Sequence, residues 1–369
     1  MGADRNLAAV QRRLRPGAAD FASRGRPQTG VREVSLNCTV LGAPGKDNAL
    51  LVTVDTGQSV HRLLFDCGDG CLTVLPIADI LAIDHLFLSH LHMDHIAGFD
   101  TFFRCTFDRS SRPNRAWGPP GTARILQHRF QGFLWNLHEQ MQGTWRVTDI
   151  GPEWLCTARF ELGEAFATFH DDCMEERSTV VLDHPQFTVE AIAMKHRTTT
   201  LAYIVREKPR RNIDVARLGA LGLQPGPWLK QLKEAIDPES AIVVDGVAHT
   251  AGALAESLVS ETPGDSVAYL TDFLLDDEAM DALVPRLREC NTVVCEAQYR
   301  HADLDLAHRH FHMTTVLSAT LAQRAAVREL VLFHLSERYS RSEWMDMLSE
   351  ARAVFPRTRF ADSWRLDAD

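Results

Sequence analysis

The chain has 369 residues, 45% hydrophobic and 24% charged, with a formal net charge of −10, a composition ordinary for a water-soluble globular protein. That balance excludes a surface basic throughout, and no apolar run approaches the ~20 residues needed to cross a bilayer or resembles a secretory signal, so a cytoplasmic protein with no membrane partner is expected. The eight cysteines form no CxxC pair, which argues for reduced thiols rather than a thiolate metal site.

Residues 1–28 are rich in Arg, Ala and Gly and read as a poorly ordered leader, with 29–369 as the folded domain. Two basic clusters, Arg5/Arg12/Arg13/Arg15/Arg24/Arg26 and Arg206/Lys208/Arg210/Arg211, read as a solvated tail and a solvated loop. From Val31 the pattern turns strand-like. "VSLNCTVLG", "NALLVTV" and "HRLLFDCG" are short apolar runs broken by "APGKD" and "DTGQS", a meander of strands and turns. "IADILAIDHLFLSH" predicts a helix and then a buried strand ending at His90. "GTARILQHRFQGFLWNLHEQMQG" carries Ile125, Leu126, Phe130, Phe133, Leu134 and Leu137 at the spacing of one helical face. The strand-like runs "FTVEAIAMKH", "SVAYLTD", "NTVVCEA" and "ELVLFH" then alternate with helical stretches such as "LLDDEAMDALVPRLREC" and "TTVLSATLAQRAAV". Such alternation implies helices layered on sheet.

The segment "HLHMDH", residues 90–95, places three histidines and an aspartate in six positions. His90 and His92 share a face of extended chain, while Asp94 and His95 follow a turn. The set suits two adjacent metal ions better than a surface cluster or backbone-bonded core histidines. Three later apolar runs each end in a ligand-capable residue: His196, Asp272 and His334. Taken singly, each reads as an ordinary polar strand end. Their agreement with His90 places four strand ends on one rim, where α/β folds hold their ligands.

HxHxDH after a strand, with these later residues, resembles the metallo-β-lactamase superfamily. Within it "LLFDCGDG", "WGPPG", "LGLQPGPWLKQL", "CEAQY", "FHMTT" and "HLSERY" resemble its ribonuclease Z branch, over roughly residues 33 to 340. The resemblance implies an αββα sandwich of two mixed sheets flanked by helices. It implies two Zn²⁺ ions, with Mn²⁺ or Fe²⁺ as alternatives. His90, His92 and His196 hold one ion, Asp94, His95 and His334 hold the other, and Asp272 bridges them. Asp66 of the "DCG" turn supports the histidines. It further implies a metal-bridging hydroxide as nucleophile, Asp94 orienting it, Glu296 and His312 supplying the leaving-group proton, and a homodimer. On the residues alone, Glu296 reads equally as a charged strand end and His312 as a helix N-terminal residue.

Departures from the branch pattern concern the substrate. The first loop reads "GAPGKDNALL", without the usual Arg-Asn pair. An arm for the RNA is expected at about 207–265, and its charges are mixed. An insertion is expected at about 101–190. These features leave a small phosphodiester, such as a cyclic nucleotide, or a lactone or thioester as the alternative to a tRNA precursor, and predict weak or no processing of the latter. Retention of every expected ligand argues against a non-catalytic RNA-binding relative, and His92 argues against diiron redox chemistry, which places Glu there.

Overall fold

Apolar and polar residues alternate along the first strands, and the alternation decides which face each buries. In the computed structural model, which describes residues 35–234 and 237–366, β1 (Ser35–Leu41), β2 (Ala49–Asp55) and β3 (Val60–Phe65) form an antiparallel meander. The expected leader lies outside the described residues. The chain continues through α1 (Ile77–Leu81), β4 (His85–Phe87), α2 (Met93–Ile96), α3 (Phe99–Thr106), β5 (Asn114–Gly118), α4 (Thr122–Phe130), β6 (Thr144–Ile150), β7 (Trp154–Glu161) and β8 (His170–Glu176). These eight strands lie side by side in sequence order as one mixed sheet. Residues 101–190, expected as inserted structure, thus carry four strands of this sheet, β5 to β8, and also β9 (Val180–Asp183) of the next.

The second sheet begins with β9, β10 (Phe187–Lys195) and β11 (Thr199–Glu207). The chain then leaves it for β12 (Arg210–Ile213), α5 (Val215–Ala220), α6 (Trp228–Glu234), β13 (Ala241–Val244), β14 (Val247–Thr250), α7 (Ala251–Leu258) and β15 (Val259–Thr262). This excursion buries Leu218, Trp228, Leu232, Ile242, Leu254 and Leu258 in an apolar core of its own. Its ends meet, because the Asp265 carbonyl accepts from the Glu207 amide at 2.9 Å. The second sheet resumes with β16 (Ser266–Leu270), α8 (Asp277–Leu287), β17 (Thr292–Glu296), α9 (Leu304–His310), α10 (Thr315–Arg324), β18 (Glu329–Phe333), α11 (Arg341–Val354) and β19 (Thr358–Phe360). Strands β16 to β19 run parallel, in the sheet order β19-β18-β17-β16-β11-β10-β9.

Side chains between the sheets fix the layers. Phe65 and Phe87 of the first sheet stack at 5.1 Å, and Phe65 meets Tyr203 and Tyr269 of the second at 5.4 and 5.9 Å. On the outer face of the first sheet, Phe99, Phe102 and Phe103 of α3 and Leu126 and Phe130 of α4 pack with Trp145, Val147 and Phe160. On the second, Met280, Leu283, Ala319, Ala322, Leu348 and Ala351 of α8, α10 and α11 join the core. Each such Leu- or Phe-sized burial contributes about 1.5–3 kcal/mol. The fold is the expected αββα sandwich.

The amphipathic helix expected from Gly121 onward stops early, at Phe130. Its apolar period continues past Gly132, but Trp135 folds back, donating its indole N–H to the Phe130 carbonyl at 2.9 Å. Leu134 is left 95% exposed. In the loop expected to be basic, Arg206 pairs with Glu190, Lys208 with Asp183, Arg210 with Glu207 and Arg211 with Glu261. No described helix is long and apolar enough to cross a membrane, and all eight cysteines are free thiols.

Candidate metal centre

Strands parallel in direction end at one edge, and the chain delivers a polar residue just past each end. Asp66 follows β3, His90 lies three residues beyond β4, His196 follows β10, Asp272 lies two beyond β16, Glu296 closes β17, and His334 follows β18. His92 caps α2, which carries Asp94 and His95 in its single turn. Three of these residues take the left-handed backbone region: Asp66 (φ 59°), Asp272 (φ 53°) and His334 (φ 54°). Such a conformation costs about 1–2 kcal/mol for a residue with a Cβ, and it turns these side chains sharply off their strands into one space.

The expected residues come together there. His90, His92 and His196 converge as one group of donor atoms, and Asp94, His95, Asp272 and His334 as a second. Asp272 touches both, with Oδ2 3.7 Å from His90 Nε2 and 3.3 Å from His95 Nε2, and Oδ1 3.6 Å from His334 Nε2. Asp94 Oδ2 lies 3.5 Å from His95 Nε2 and 3.6 Å from His334 Nε2. His90, His95 and Asp272 are buried, whereas the Asp94 side chain is 47% exposed.

The far ring nitrogens fix the tautomers. Asp66 accepts from His95 Nδ1 at 2.7 Å, from the Ser89 amide and hydroxyl at 2.7 Å each, and from the Tyr269 hydroxyl at 2.9 Å. Because the Ser89 proton is committed to Asp66, Ser89 Oγ accepts from His90 Nδ1 at 3.1 Å. His196 Nδ1 donates to the Phe311 carbonyl at 3.2 Å. Each bond leaves the Nε2 lone pair of His90, His95 and His196 facing the centre.

Donor chemistry and charge both fit metal ions. His95 Nε2 is buried with no hydrogen-bond partner, and His90 Nε2 faces His92 Nδ1 at only 2.9 Å, an arrangement a shared cation satisfies. Burial pushes the His90 and His196 imidazoles down, to about 2 and about 4, so both stay neutral as ligands must. At His95 burial acts the same way, yet the Asp272 and Asp66 carboxylates outweigh it and lift the ring well above its ordinary value. The pocket around His95 therefore favours positive charge.

Beside these groups lies the second expected pair. His312 Nδ1 donates to Glu296 Oε2 at 2.8 Å and stands 4.0 Å from Asp272 Oδ1. Glu296 is fully buried, and its Oε1 accepts the Asp272 amide at 3.1 Å. Burial lowers the His312 imidazole, but the Glu296 charge and hydrogen bond prevail and raise it to about 9.

Sequence reasoning missed three supports: Ser89, Tyr269, and Asn48, whose Oδ1 accepts the His334 amide at 3.2 Å. Ser89, adjacent to His90, carried the one local signal. The other two act across the sandwich.

A profile described as a beta-lactamase superfamily domain matches residues 61–251. The ribonuclease Z of Deinococcus radiodurans is 49% identical over 329 residues, covering 89% of this chain and 98% of its own. That of Geobacillus kaustophilus is 28% identical over 88% of this chain and 94% of its own. Among solved structures, the short form of human tRNase Z superposes with a TM-score of 0.50 at 18% identity, covering 89% of this chain and 95% of its own, a likeness of fold. The chain belongs to the ribonuclease Z family of the metallo-β-lactamase superfamily. It is a metal-dependent hydrolase.

Proposed function

We propose that the protein is an endoribonuclease that removes the 3′ trailer from tRNA precursors, acting in the cytoplasm as a homodimer with two Zn²⁺ ions per chain. His90, His92 and His196 would hold one ion and Asp94, His95 and His334 the other, with Asp272 between them. When bound, such a pair polarises the phosphoryl oxygen and makes water nucleophilic near neutral pH. Asp94, partly exposed, orients the incoming water. As the phosphorus–oxygen bond to the leaving strand breaks, His312 would give its Nε2 proton to that oxygen, while Glu296, bonded to Nδ1, holds the ring in register.

The observation that carries this reading is the Glu296–His312 pair at 2.8 Å beside Asp272. A ribose alkoxide is a poor leaving group that requires a proton, and general-acid assistance of this kind contributes about 10²–10⁴-fold. The chain covers 98% of the 49% identical ribonuclease Z, which favours RNA over the small esters left open by the sequence.

The test incubates purified, metal-loaded protein with a trailer-bearing tRNA precursor, bis-p-nitrophenyl phosphate, a lactone and a thioester. Cleavage of the precursor and the diester is expected. His92→Ala should abolish both activities, and His312→Ala should lower kcat on the precursor by about 10²–10⁴ while the bound metal stays at the wild-type ratio. Turnover of the lactone or thioester alone would replace this reading with acyl hydrolysis.

A further inference from the structure

Phe311 ends α9 in the left-handed backbone region, at φ 61° and ψ 47°. A bulky side chain is strained there, whereas glycine takes the same turn freely. The turn points the Phe311 carbonyl at His196 Nδ1, 3.2 Å away, and lets the His312 amide donate to the Ala307 carbonyl at 2.9 Å. Glycine would make both bonds, so neither explains an aromatic ring. Packing does not explain it either. Phe166 takes a similar conformation, at φ 56°, but is wholly buried among Phe103, Phe130 and Trp135, which offsets its strain. Phe311 is only half-buried and joins none of the three apolar cores. Among the described residues its one ring contact is the His196 imidazole, 6.1 Å away and perpendicular to it at 88°.

Strain that packing does not offset, in a residue beside reacting groups, points to a use in the site. The His196 and His312 rings lie 5.6 Å apart. Phe311 is hydrogen-bonded to the first and adjoins the second in the chain, so its ring stands next to both the metal ligands and the proton donor. The oxygen that His312 protonates belongs to a ribose, and the base on that ribose needs a surface of its own within a few ångströms. A flat hydrocarbon ring serves any base, because every base has a π face. We propose that Phe311 is the stacking platform for the base of the nucleotide that carries the leaving oxygen, and that stacking there holds this oxygen within reach of His312 Nε2. A lactone or thioester has no such base, so the ring favours a polynucleotide end over a small ester. The proposal rests on the endoribonuclease reading and adds to it a base subsite that accepts all four bases.

The test is equilibrium binding, by fluorescence anisotropy, of two labelled tRNAs to full-length, metal-loaded protein. Both end in the 3′-hydroxyl that cleavage leaves, so neither is consumed, and one of them lacks its terminal base. Wild type should bind the base-bearing tRNA about tenfold more tightly than the abasic one. Phe311→Gly should erase that difference by weakening the base-bearing tRNA alone, with a thermal midpoint no lower than wild type's, since glycine is unstrained at this φ. Phe311→Tyr should keep the difference, and Phe311→Leu, which is apolar but has no π face, should lose it. A wild type that binds both tRNAs alike overturns the platform. So does a Phe311→Leu variant that keeps the difference, or a Phe311→Gly variant that weakens both tRNAs equally. Cleavage of the trailer-bearing precursor is read separately. A wild type that prefers the base-bearing tRNA yet leaves the precursor uncut defeats the proposed function and leaves the base subsite standing, whereas one that binds neither tRNA defeats both.

Discussion

Asp66 shows how one carboxylate organises a site it does not itself enter. Its oxygens take a ring N–H from His95, a hydroxyl from Tyr269 and both donors of Ser89, joining β3, the HLHMDH turn and β16. Asp66→Asn keeps the size and tolerates φ 59°, because Asn is enriched in the left-handed region. It replaces one acceptor oxygen with a donor, however, so His95 loses a fixed tautomer. Metal affinity is expected to fall about 10–100-fold, measured by chelator competition, with the fold retained in far-UV circular dichroism. The HLHMDH ligands were legible because their spacing is local. Tyr269 and Asn48 were not, since nothing near either residue in the chain distinguishes it from a core tyrosine or a turn asparagine.

At the scale of elements, parallel strands buried on both faces announce themselves as continuous apolar runs, which is why β16, β17 and β18 and the residues ending them were readable. Strand β8 was not. Its residues from Asp171 to Glu176 are exposed, so only backbone pairing with β7 makes it a strand. The misjudged end of α4 has the opposite cause, an apolar period that outlasts the helix. Strand β4 carries a separate liability in His85, buried with its Nδ1 accepting the Trp117 indole N–H at 3.0 Å. Burial, followed by the Arg115 charge, lowers this imidazole to about 3. An unfolded histidine titrates near 6.5, so the unfolded chain binds the extra proton between those values. The contribution of neutral His85 is therefore complete above pH ~6.5 and is lost as pH falls toward 3, by up to about 1.4 kcal/mol per unit. Urea unfolding at pH 7.5 and pH 5 should give a smaller pH difference for His85→Gln than for wild type. Equal differences would show that His85 is not the source.

At the scale of the whole molecule, the metal centre and the β12–β15 excursion are built from separate stretches of chain. The excursion β12–β15 has its own core and leaves the second sheet between two residues that already share a backbone hydrogen bond. Replacing residues 209–263 with a short turn should therefore leave β11 paired with β16 and the metal content at the wild-type ratio. The truncated protein should still hydrolyse bis-p-nitrophenyl phosphate while its KM for precursor tRNA rises. Collapse of the thermal transition would instead make the excursion part of the cooperative unit. Its mixed charge, legible in the sequence, predicts a smaller share of RNA affinity than a lysine-rich arm would carry.

The donors of the metal centre come from opposite sheets: His90, His92, Asp94 and His95 from the first, His196, Asp272 and His334 from the second. A cation shared between them works as a rivet through the sandwich, binding the folded chain and finding no such cage in the unfolded one. How long each molecule endures is thereby tied to the supply of metal around it, and starvation for the ion would thin the population of enzyme as well as silence it.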